Sequence, residues 1–123
     1  MESTATVEEA RVFVTNLAGH DYTKAEKYGK IVPITHGYVS FQSLDRVKFQ
    51  ITEEVYKSKP HDWLLLSGTP LLSVVAATVW FAIHHQINLL VYDQKDSGKY
   101  RELKITQKNV HDMLTVLEGS DGA

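Results

Sequence analysis

Residues 61–93 read HDWLLLSGTPLLSVVAATVWFAIHHQINLLVYD, and their order decides the fold. A short apolar run, Trp63–Leu66, meets a turn of small residues, Ser67-Gly68-Thr69-Pro70. A long apolar stretch of helical length follows, and a second apolar run, Ile87–Tyr92, closes the unit. Strand, turn, helix, strand is the repeat of a parallel α/β sheet. Thr69 is expected at the N-cap and Pro70 at the first helical position, where each is favoured. Backbone N–H groups at such a turn point past the strand's C-terminal end, and the helix dipole favours an anion there.

Working outward toward the N-terminus, Arg11–Leu17 (RVFVTNL) reads as the first strand and Gly19-His20-Asp21-Tyr22 as a loop. Thr23–Tyr28 has room for about two helical turns, with Asp21 as cap and Gly29 as stop. Lys30–Thr35 is a second strand, and Pro33, which lacks an amide, puts it at a sheet edge. Ser43 can cap a helix running to about Ser58, with Leu44, Val47, Ile51 and Val55 on one face. Beyond the central unit, Lys95-Asp96-Ser97-Gly98 reads as a hairpin turn into a fifth strand, Tyr100–Ile105, antiparallel to the fourth. Thr106 caps a last helix with Val110, Met113, Leu114 and Leu117 on one face, and Gly119 is its expected end.

Right-handed crossovers and short connections give the strand order 2-1-3-4-5, a small doubly wound α/β domain over residues 11–119. Residues 1–10 and 120–123 are expected to be loose ends. The order reverses between the first and third strands. Open α/β sheets bind ligands in that crevice, beyond the strands' C-terminal ends. Asn16, Gly19, His20, Asp21, Tyr22, Ser67, Gly68 and Thr69 meet there, and they are the expected ligand-binding set.

The chain has 123 residues, no cysteine and a formal net charge of −2. One domain fits that length. Without cysteine there is no disulfide, thiolate nucleophile or zinc ribbon. No domain-wide basic field exists to hold duplex nucleic acid. A local nest of amides can still bind a small anion. The longest apolar stretch, Leu71–Ile83, is too short to span a bilayer. The polar start Met1–Glu9 is no signal peptide, so a cytoplasmic protein is expected.

Several residues carry two readings. Ser67–Thr69 is either an anion site or only a tight turn with a helix cap. His20-Asp21 is either a catalytic or ligand-gripping pair or a capped loop. Tyr22 and Tyr28 can stack on a base, or lie in the core. His84 and His85 end the long helix, where the dipole favours imidazolium. They diverge by about 100° and are no metal pair. No metal and no cofactor is implied. The GxxxxGK[ST], GxGxxG and GxSxG motifs are absent. Leu71–His84 is apolar almost all round, which one sheet cannot cover, so a homo-oligomer through this helix is expected.

The run VFVTNLAGHDYTKAEKYG (Val12–Gly29), with the later LLLSG and NLLVY segments, resembles a family of small uncharacterised α/β proteins of tailed phages, with the pattern N-x-x-G-H-D-Y. The resemblance covers most of residues 12–93. It implies a virus-encoded protein acting in the cytoplasm of an infected bacterium. Leu64–Trp80 is similar to the strand–turn–helix of CARF and related Rossmann-like nucleotide-sensor domains. Ser67, Gly68 and Thr69 fit the ligand turn of those domains. The second glycine is missing, and Pro70 replaces the lysine that neutralises phosphate.

The leading functional expectation is therefore binding rather than turnover. A small nucleotide-like or phosphorylated ligand would sit between the first and third strands, as in a phage counter-defence protein that sequesters a host nucleotide signal. Two alternatives stand beside it: a metal-independent nucleotide hydrolase using His20 and Asp21, and an interaction module that blocks a host factor.

Overall fold

A computed structural model describes residues 9–19, 21–95 and 98–121. Residues 1–8 of the expected N-terminal arm, His20, Asp96 and Ser97 of the expected hairpin turn, and residues 122–123 of the expected tail lie outside the described residues. The elements run β1 (Arg11–Leu17), a 3-10 helix (Thr23–Tyr28), β2 (Lys30–His36), α1 (Leu44–Tyr56), β3 (Trp63–Leu65), α2 (Pro70–His84), β4 (Gln86–Asp93), β5 (Lys99–Thr106) and α3 (Gln107–Asp121).

The described residues form one five-stranded sheet in the order β2-β1-β3-β4-β5. β1 pairs in parallel with both β2 and β3, so Val14 lies between Pro33 and Leu65. β3 pairs in parallel with β4 at Leu64↔Leu89. β5 is antiparallel to β4, with Ile87 opposite Ile105 and Leu89 opposite Leu103. Pro33 sits on the edge strand β2, as its missing amide requires.

Two layers of side chains cover the sheet. Phe13, Leu64, Ile87 and Leu89 point to the face that packs against α1 and α2, around Val47, Ile51, Leu72, Ala76 and Trp80. Val12, Val14, Leu65 and Leu90 point to the other face, where Tyr22 and Ala25 bring in the 3-10 helix. Central β1 is thus buried on both sides, which is why its apolar run is continuous rather than alternating. Trp80 is fully buried and meets Phe13 edge-on, with ring centroids 5.4 Å apart.

Two local features depart from the sequence expectation. The Thr23–Tyr28 segment closes as a 3-10 helix, and Gly29 ends it because a Cβ there would lie 2.1 Å from the Ala10 carbonyl oxygen. The Ala10 carbonyl thus lies close against Gly29. α3 runs through Gly119 to Asp121, because one glycine costs a helix only about 1 kcal/mol and does not by itself stop it. Every described side chain of α3 from Gln107 to Gly119 is exposed.

Candidate functional site

The crevice between β1 and β3 is built around Asn16. β3 ends at Leu65, two residues before the turn, and the Ser67 hydroxyl carries the ladder onward. It donates to the Asn16 carbonyl (2.8 Å) and accepts from the Asn16 amide (3.1 Å). Side-chain oxygens can replace a strand partner in this way. The Asn16 side chain reaches the other way. Its Nδ2 donates to the Gly37 carbonyl (2.9 Å), and its Oδ1 lies 3.0 Å from the Thr35 hydroxyl, which also donates to the Thr15 carbonyl (2.7 Å). The Tyr22 hydroxyl adds a third contact, donating to the Asn16 carbonyl (3.2 Å). One nearly buried asparagine thus joins the ends of β1 and β2 to the turn after β3.

Gly68 has φ +83°, and a Cβ on it would lie 2.7 Å from the Cβ of Asn16. The glycine makes room for that asparagine. Thr69 takes the extended N-cap conformation, and its carbonyl accepts from Leu72 and Ser73, but its hydroxyl makes no capping bond. The expected side-chain cap is therefore absent, because the main chain alone starts α2. Gly19 has φ +69° with open space on its Cβ side. The Asp21 carboxylate accepts from the amide (2.9 Å) and hydroxyl of Thr23, and these bonds hold its pKa below the ordinary carboxylate value. It serves the turn into the 3-10 helix from one residue before the N-cap, Tyr22.

The structure thus gathers Asn16, Tyr22, Ser67 and Gly68, with Thr69 following. Asp21 stands apart with Thr23, and His20 lies outside the described residues. Tyr22 is 8% exposed and belongs to the core on the 3-10 helix side. Tyr28 packs edge-on against Trp63, with centroids 5.4 Å apart.

Two grooves flank this region. The larger, about 640 Å³, opens at the C-terminal end of β2 and runs along α1. It takes in Thr35, His36, Tyr38 and Arg46 at one end and Glu53 and Glu54 at the other. The smaller, about 210 Å³, lies between the first turns of α1 and α2 and is walled by Leu44, Val47, Leu71, Leu72 and Val75. Sequence reading found the apolar stripes behind the smaller groove but not the groove, which depends on how two helices diverge. It places Thr35-His36-Gly37-Tyr38 after a strand, with His36 either reaching the crevice or lying on a surface loop. It does not show that Thr35 and Gly37 bond Asn16, which depends on a strand pairing 19–21 residues away in sequence.

Two further polar clusters hold the opposite end of the sheet. Asp62 is fully buried and accepts from the amides of Arg11 (2.8 Å) and Lys59 (2.7 Å) and from the Arg11 guanidinium (3.1 Å). His84 Nε2 is 2.8 Å from Ser58 Oγ, whose own proton goes to the Val55 carbonyl (2.5 Å). His84 is thus the donor, protonated on Nε2. Burial lowers its pKa below 6.5 against the opposing pull of Asp62. Desolvation outweighs the helix dipole here, and the expected imidazolium is not the favoured form at this residue. No group of three metal-ligating side chains occurs among the described residues.

An open five-stranded α/β sheet with one antiparallel edge strand defines the class. The family described as phage Pam3 gp32-like protein matches residues 8–107, from the approach to β1 to the first residue of α3. The chain belongs to this family. No curated protein matches, and no solved structure matches. Among the described residues, no helix is long and apolar enough to cross a membrane.

Proposed function

We propose that this phage-family protein works by gripping another protein, with the apolar groove between α1 and α2 as its contact surface. The groove itself supports this reading most directly. Its walls are Leu44, Val47, Leu71, Leu72 and Val75, with Asp45 and Lys48 beside them. Such a recess takes one large apolar side chain of a partner, the kind of anchor that dominates interface energies. Leu71, Val74, Thr78 and Ala82 extend the same surface along the outer side of α2, all of them exposed. The crevice supports the reading from the other side, since the polar groups of Asn16, Ser67 and Thr35 are already bonded to one another. In an infected bacterium the partner is a host factor that the protein blocks. A second copy docking through α2 would compete with the host factor for this same surface.

Cross-linking of the tagged full chain in infected cells tests this. Leu71→Glu and Leu44→Glu alter exposed positions, so both variants are expected to fold. The expected result is a discrete adduct on the parent, lost in both variants at unchanged melting temperature. No adduct on the parent, or the same adducts on all three proteins, counts against the reading.

A second reading is supported by the larger groove. Tyr38 is 93% exposed, and with Arg46 and His36 it offers a phenol ring, a guanidinium and an imidazole to a nucleotide-like or phosphorylated ligand beside Thr35 and the Asn16 crevice. This is the counter-defence role of sequestering a host nucleotide signal, to which the likeness of Ser67–Thr69 to nucleotide-sensor turns also points. Calorimetric titration with mono-, di- and cyclic nucleotides decides it. Binding that weakens at least tenfold in Arg46→Ala supports the groove, and binding lost in His20→Ala supports the crevice. Product formation in the same mixtures points to hydrolysis by His20 and Asp21.

A further inference from the structure

We infer that two copies of this chain exchange α3, each helix docking on the β4–β5 surface of the other copy. This contact uses a different surface from the α1–α2 groove and goes beyond the reading above.

The argument begins with a helix that has no partner along its apolar stripe. Val110, Met113, Leu114 and Leu117 recur at i, i+3, i+4 and i+7, and they are 38%, 59%, 50% and 61% exposed. A 15-residue helix alone in water is marginal, because tertiary packing supplies most of a helix's stability. The same chain carries an uncovered surface of matching character. On the sheet face that holds α1 and α2, the register continues Ile87 and Leu89 into Val91, and Ile105 into Leu103. Val91 is 43% exposed and Leu103 is 48% exposed. Donor stripe and acceptor face are thus both present and both open on one chain, and reciprocal exchange between two copies closes both.

Charge agrees where it borders the two surfaces. On the acceptor face β5 places Lys99 and Arg101 in line with Leu103, Arg101 also meeting Asp93 at 3.5 Å, while Glu118 flanks the α3 stripe and Lys108 and Asp112 pair with each other on the far side of the helix. A 15-residue helix is about 22 Å long and about 10 Å wide, so one docked α3 covers a strip of about 220 Å². Each copy gives one helix and receives one, and the two strips, about 440 Å² per partner, make a small interface of the weak, reversible class. The helix starts from a fixed point, because the Gln107 amide donates to the His85 carbonyl (3.0 Å) at the end of α2.

Sedimentation equilibrium of the full chain at micromolar concentration tests this, with Leu114→Glu on the donor helix and Leu103→Glu on the acceptor strand. The parent is expected at twice 13.9 kDa, and each variant at 13.9 kDa. Mixing the two variants should restore a dimer, since that pair keeps one intact contact: the α3 of the Leu103→Glu copy on the β5 of the Leu114→Glu copy. Melting curves confirm that both variants are folded. If either variant fails to fold, Met113→Glu and Val91→Glu replace them at the same two surfaces. A monomeric parent overturns the inference. So does a dimer that Leu114→Glu breaks and Leu103→Glu leaves whole, which means that α3 pairs with α3. A dimer broken by Leu71→Glu alone places self-association on α2 and also overturns it.

Discussion

Gly68 and Thr69 are adjacent, and the structure gives them unequal weight. Gly68 stands at φ +83° against the Asn16 side chain, so Gly68→Ala meets both the left-handed penalty and a 2.7 Å contact. The first costs about 1–2 kcal/mol, and the second forces Asn16 out of a network that joins β1, β2 and the turn. A loss of about 2–4 kcal/mol in chemical denaturation is expected, with no ligand present. Thr69→Ala removes a hydroxyl that caps nothing, so a change within about 0.5 kcal/mol is expected, although threonine at an N-cap suggests about 1 kcal/mol. The sequence shows that the turn holds a serine, a glycine and a threonine. It does not show that the serine continues a ladder, because Asn16 lies 51 residues away. A small-residue turn after a strand reads the same whether it faces a phosphate or an asparagine.

At the scale of elements, boundaries were legible wherever a chemical stop marked them. β1 begins and ends as its Val- and Phe-rich run does, Pro70 starts α2, and Gly29 closes the 3-10 helix. They were not legible where the stop is geometric. His85 ends α2 at φ 59°, a left-handed cap without glycine, and α3 passes through Gly119. Contacts between elements carry a pH signature. His84 on α2 donates to Ser58 beyond the end of α1, and burial holds its pKa below 6.5. Asp62 pulls the pKa upward, while Lys59 and His85 push it down with the burial. The unfolded chain therefore takes up this proton first. The contribution of neutral His84 is complete above pH 6.5 and is lost as the pH falls below it, toward the lower folded value. The melting temperature of the parent is expected to fall more steeply from pH 6.5 to about 5 than that of His84→Gln, which keeps a donor but cannot titrate. Parallel curves mean that the ring is not buried enough to matter.

At the scale of the whole molecule, strand order was readable because short right-handed crossovers leave few alternatives. The same rules predicted a crevice between β1 and β3, and the described residues there are largely engaged with one another. What the rules do not reach is the fate of a last helix that follows an antiparallel edge strand. Its heptad-like stripe was visible in the sequence, but the surface it would cover was not. The open apolar faces on α2, β4–β5 and α3 are contact surfaces in this account, and α3 is the most exposed of them. Amide hydrogen exchange across residues 107–121, read as a function of protein concentration, tests this most directly. The account predicts protection of the Val110–Leu117 amides at tens of micromolar, lost on dilution and lost at any concentration in Leu103→Glu. Exchange at the rate of an unstructured peptide at every concentration contradicts it, as does protection that dilution leaves unchanged.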